Sequence, residues 1–116
     1  MPNVLAWLTP GTLPAAEEAD VLDVLDHIST GRTPAWLHPN ANGVFGRRFR
    51  NFPTANGDFL PGTPGAGGYV EYDVPPPPGV LDRGPRRVVE DLATRNLYYT
   101  STHYGDSGWP SFWRIR

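Results

Sequence analysis

Between Pro14 and Gly31 the apolar residues Val21, Val24, Leu25 and Ile28 recur at i, i+3, i+4 and i+7, while acids fill the N-terminal turn and the opposite face. That spacing predicts one amphipathic helix over about residues 15–29, with Pro14 suited to its first turn and Gly31 to its C-terminal stop. From Tyr69 the period changes to two. YVEYDV alternates, PPPPG interrupts as a stiff turn, and RRVVED, NLYYTSTHY and SFWRIR follow, all rich in β-branched and aromatic residues. These are short strands, most simply paired as an antiparallel meander. A helix first and strands afterwards predicts an α+β fold, with the helix packed on one face of an antiparallel sheet of about four to five strands. Between them, Pro34, Pro39, Asn40, Asn42 and Gly43 break regular structure, and residues 55–68 form a long loop too rich in Gly and Pro for a core strand.

Length and composition narrow the class. A chain of 116 residues without a long linker or internal repeat is expected to be a single domain, 1–116, with residues 1–12 as a lead-in. With 13 Gly and 14 Pro it is globular but loop-rich. The absence of cysteine excludes disulfides and thiolate metal sites, and three scattered histidines make a poor zinc site, so no metal or cofactor is expected. No apolar run reaches the roughly 18 residues of a membrane span, and the first residues lack the pattern of a signal peptide. A net charge of −2, from 12 acids against 10 arginines and no lysine, requires any polyanion to be held by a local cluster. Such a cluster exists: residues 31–50 hold Arg32, Arg47, Arg48 and Arg50 with no acid, and RNA contact is the favoured reading of the last three.

Alternation on the strand 69–74 puts Tyr69, Glu71 and Asp73 on one face and Val70, Tyr72 and Val74 on the other. Alone, Glu71 reads as a solvated charge. Downstream, however, come Arg83, Arg86 and Arg87 in RGPRR and His103 in THY. A carboxylate, guanidiniums and an imidazole on neighbouring strands supply the parts for attack of a ribose 2′-hydroxyl on its own phosphodiester. A base takes the hydroxyl proton, an acid protonates the departing 5′-oxygen, and cations hold the phosphate as charge builds on it. Arginine suits that last role because its planar fork matches phosphate. None of this chemistry requires a metal.

The run EYDVPPPPGVLDRGPRR, followed by LYYTSTHY and SFWRIR, resembles the microbial guanyl-specific, barnase-like ribonuclease family. Upstream, LPAAEEADVLDVLDHISTG is similar to that family's N-terminal helix and NGVFGRRFRNFP to its base-recognition loop, so the resemblance covers about residues 13–116 in order. It implies that Glu71 is the general base, His103 the general acid, and Arg83 and Arg87 the phosphate ligands, with Arg86 at a more variable position. It further implies that Phe45, Gly46, Arg47 and Arg48 bind the base through loop backbone groups and that Tyr104 flanks the nucleotide. Where the family has Glu to accept guanine's N1 and N2 hydrogens, this chain has Phe49, so the implied preference is guanine or relaxed. The loop 55–68 is longer than the family's connection, and GDSGWP is inserted after Tyr104; both flank the expected cleft.

The implied protein is a monomeric endoribonuclease of single-stranded RNA, secreted or delivered into a target cell as the toxin domain of a larger exported chain. An acidic immunity protein of the barstar type would be its inhibitor. The competing reading is a module on the same fold that binds RNA or protein without catalysis. Trp7, Trp36, Phe52, Tyr72, Phe112 and Trp113 are expected in or at the edge of the core, and Trp109 outside it. His27, near the helix C-terminus, and His38, beside Pro39, are expected to be structural.

Overall fold

The computed structural model describes residues 6–54, 59–61, 63, 65–103 and 112–115. Its helix, α1 (Ala15–Thr30), lies where the apolar spacing and the flanking breakers put it. Pro14 stands just ahead of the helix rather than in its first turn, extended at φ −53° and ψ 148°. At the other end Gly31 adopts φ 68°, and the N–H groups of Gly31 and Arg32 return to the carbonyls of Ile28 and His27. This is a Schellman-type stop, in which a residue with a Cβ would be strained. The following segment is tied back to the helix by the Trp36 indole, which donates to Asp23 Oδ2 at 3.1 Å.

Among the described residues six strands form one sheet: β1 (Ala6–Trp7), β2 (Gly46–Phe49), β3 (Tyr69–Asp73), β4 (Arg87–Asp91), β5 (Leu97–Thr100) and β6 (Trp113–Arg114), in the order β1-β6-β5-β4-β3-β2. Strands β2 to β6 run antiparallel to their neighbours, and the two-residue β1 joins β6 in parallel at one edge. The fold is α+β, as the order of elements implies. Four of these strands answer to the alternating segments of the sequence; β1 and β2 are additions. Gly46 explains part of β2, because its missing side chain leaves room for the Tyr72 ring, which a Cβ there would meet at 2.9 Å.

The main core lies between α1 and the sheet. Val21 and Val24 of the helix, with Leu13, pack on Val74, Val88, Leu97, Tyr99 and Trp113. Full burial of side chains of this size stabilises the fold by roughly 1.5–3 kcal/mol each. At the rim of this interface the Tyr99 hydroxyl donates to Glu17 at 2.7 Å, and Arg86 reaches the same carboxylate at 3.4 Å. Burial and the Glu17 carboxylate push the Tyr99 hydroxyl far above the usual phenol range.

The opposite face is divided. At the β3 start and across to β5, Tyr69, Val89 and Tyr98 make a second core with Leu60 and Phe112, against which Phe49 packs. Leu60 reaches it from the long loop, held by Asn51, whose buried amide donates to the Leu60 carbonyl at 2.7 Å and accepts from the Leu60 N–H at 2.6 Å. Two aromatic expectations fail: Trp7 is 55% exposed and Phe52 58% exposed. Each lies instead under a guanidinium, Arg114 at 4.6 Å from the Trp7 ring and Arg50 at 5.4 Å from the Phe52 ring.

Candidate active site

The remaining half of that second face is polar, and strand register assembles it. Residues directly opposed in an antiparallel pair share a face. Glu71 opposes Arg47 on β2 and Val89 on β4, while Asp73 opposes Arg87, which in turn opposes Thr100 on β5. Arg47, Glu71, Asp73, Arg87 and Thr100 therefore all point away from α1.

Asp73 is the buried anchor of this group. Its carboxylate accepts two hydrogen bonds from Arg83, from Nε at 2.8 Å and from Nη2 at 2.6 Å, in the fork geometry that only arginine provides. The Arg87 Nε lies 3.2 Å from the same carboxylate, at ion-pair distance though without hydrogen-bond alignment. Arg87 is itself buried, and its Nη1 donates to the carbonyls of Gly84 and Arg86 at 2.8 and 2.7 Å. One carboxylate thus gathers two guanidiniums that arrive from different segments. The turn that carries Arg83 depends on Gly84, at φ 68°, where a Cβ would stand 2.6 Å from that of Pro76. Arg86 points elsewhere, to Glu17 and Asp20 at the helix.

His103 follows β5 in a left-handed backbone conformation, φ 54°, with its N–H donating to the Pro85 carbonyl at 2.9 Å. A non-glycine residue in this region costs on the order of 1 kcal/mol or more and is found preferentially where function demands a fixed geometry. Although the residue is largely exposed, partial burial of its ring pushes the imidazole below its ordinary pKa of 6.5. The Arg87 charge adds to the lowering, Glu71 opposes it, Arg83 lowers and Asp73 raises. The imidazole thus feels both predicted carboxylate and guanidinium groups at once.

Arg83, Arg87 and His103 line a cleft of about 480 Å³ together with Asn40 and Asp82. Glu71 stands on the same sheet face without lining that cavity, and acts on it through its charge on His103. Arg83, Arg87 and His103 are therefore brought to one cleft, with Glu71 on the same face of the sheet. The expected base-binding residues are not. Phe45 packs on the helix side, 4.9 Å from the Tyr72 ring and edge-on to His27 and Trp36. Gly46, Arg47 and Arg48 lie in β2 and pair with β3, so a segment expected as a loop is strand. Arg47 alone of these shares the Glu71 face, and its Nη2 donates to the Ala41 carbonyl at 2.7 Å. Tyr104, Trp109 and the 105–110 insertion fall outside the described residues.

Asp73 and Asn40 are absent from the sequence-derived site. Asp73 had a legible signal, since it sits two positions from Glu71 on the same strand. Asn40 had none beyond its turn-forming type. Among the described residues no cluster of three or more His, Asp or Glu could hold a metal ion, and no helix is long and apolar enough to cross a membrane. No family model matches the chain, and no curated protein matches it.

Proposed function

We propose that the chain is a metal-independent endoribonuclease that cleaves single-stranded RNA by transesterification, in keeping with its resemblance to the microbial guanyl-specific ribonucleases. The observation that supports this reading is that Arg83, Arg87 and His103 line one cleft while Glu71 stands on the same face of the sheet. Glu71 removes the proton from the ribose 2′-hydroxyl, and the O2′ attacks the adjacent phosphorus. The bond from phosphorus to the 5′-oxygen breaks, and His103 delivers the proton to that leaving oxygen. Arg83 and Arg87 offset the charge that develops on the equatorial oxygens, already oriented by Asp73. The product is a 2′,3′-cyclic phosphate, which water opens in the reverse sense with the acid and base exchanged. Arg47 and Arg48 contact the RNA beyond the scissile bond, and the base preference is guanine or relaxed. In this reading the protein acts as a toxin delivered into another cell, and an acidic immunity protein occupies the cleft.

Incubation of the chain with single-stranded RNA in chelator tests the reaction. RNA fragments ending in 2′,3′-cyclic phosphate are the expected product; retardation of intact RNA on a gel, with no fragments, would assign the fold to a binding module instead.

A further inference from the structure

His38 lies outside the proposed chemistry, yet both of its ring nitrogens are engaged. Nδ1 is 3.0 Å from the backbone nitrogen of Asn40, and Nε2 is 3.0 Å from the carbonyl oxygen of Leu81. A backbone N–H can only donate and a carbonyl can only accept, so Nδ1 carries a lone pair and Nε2 carries the proton. The ring is therefore held as one neutral tautomer. It joins two segments 43 residues apart, the 3₁₀ turn Pro39–Ala41 and the loop 80–82. Both segments belong to the cleft of Arg83, Arg87 and His103, to which they contribute Asn40, Val80 and Asp82. The 3₁₀ turn is pinned on its other side by Arg47, through the Ala41 carbonyl.

We propose that His38 is a positioning residue for this cleft, a clamp that holds its rim in shape while neutral and releases it when protonated. A proton on Nδ1 removes the acceptor for the Asn40 N–H and sets two donors against each other. The charged side chains that share the small cavity beside His38 are Asp73 from β3 and Asp82 and Arg83 from the following loop. Asp73 is engaged with Arg83 and Arg87. The consequence for binding has a sign opposite to that expected of His103. Protonating His103 adds a cation to the cleft and favours a phosphate, whereas protonating His38 loosens the rim and weakens binding.

The inference rests on the ribonuclease reading for its kinetic consequence, but not for its geometry, and two measurements separate them. In nitrogen-15 NMR of the intact chain, the His38 ring is expected as the Nε2–H tautomer, with the Asn40 amide shifting along the His38 titration. An Nδ1–H tautomer, or an Asn40 amide indifferent to that titration, overturns the clamp whether or not the chain cleaves RNA. In RNA cleavage kinetics, H38A is expected to raise KM about fivefold with kcat changed less than about twofold. H38N keeps an acceptor for the Asn40 N–H and gains no proton, so it is expected to restore the neutral-pH KM and to abolish the rise in KM on the acid side. Unchanged KM in H38A, or an acid-side rise that survives in H38N, overturns the proposal. Absence of cleavage by the wild type would instead remove the ribonuclease reading and leave the NMR result to decide the clamp.

Discussion

Asp73 settles how two arginines can stand together at one cleft. Unpaired, Arg83 and Arg87 would repel each other, and Arg87 would be a buried cation without a counter-charge. The carboxylate removes both costs and fixes the guanidinium planes before any phosphate arrives. Replacing it by alanine is therefore expected to destabilise the fold by about 3 kcal/mol, read from denaturant midpoints, because a buried cation loses its partner. His103 provides a second residue-scale prediction. Its pKa is lowered by partial burial and by Arg87, so the free protein loses the acid form at a lower pH than an ordinary imidazole does. The alkaline limb of kcat/KM is accordingly expected below 6.5, and the limb is to vanish in His103→Ala. The grouping of Arg83, Arg87 and His103 at one cleft, with Glu71 on the same sheet face, was legible in the sequence from residue types and their order. Asp73 was legible only as a neighbour of Glu71, since alternation gives a face but not the two guanidiniums that fold onto it.

At the scale of elements, helix α1 and strands β3 to β6 follow from periodicity and punctuation, which act locally and so survive in the sequence. Strand β2 does not. Its arginines and Gly46 have little strand character, and pairing with β3 overrides that weakness once Tyr72 fills the space above Gly46. The long loop is similarly opaque. Leu60 is held there by Asn51, whose side chain closes on the Leu60 backbone as Leu60 enters the second core. Asn51→Ala leaves a buried donor and a buried acceptor unmet, and is expected to cost about 2 kcal/mol or more in thermal or denaturant unfolding. The turn at Gly84 is held as strictly. Gly84→Ala forces a Cβ into Pro76 and is expected to disturb Arg83 and to lower RNA turnover by at least about tenfold, measured beside a stability curve.

For the molecule as a whole, the net charge of −2 says little, because the charges are segregated. The acids of α1 belong to the other side of the sheet from the Glu71 row, whereas Arg83 and Arg87 line the cleft and Arg47 opposes Glu71 on β2. Binding of single-stranded RNA is expected to weaken as salt rises, with a slope of roughly −0.7 per phosphate neutralised, and to flatten when Arg47 or Arg48 is replaced by alanine. The most direct test of the whole account compares the wild type with Glu71→Ala and His103→Ala in a single-stranded RNA cleavage assay containing chelator. Wild-type turnover to a 2′,3′-cyclic phosphate end, with each variant slowed by about 10²- to 10⁴-fold while still folded, is the result expected if the carboxylate and the imidazole are base and acid. Equal rates in all three proteins, or no cleavage by any of them, would contradict it.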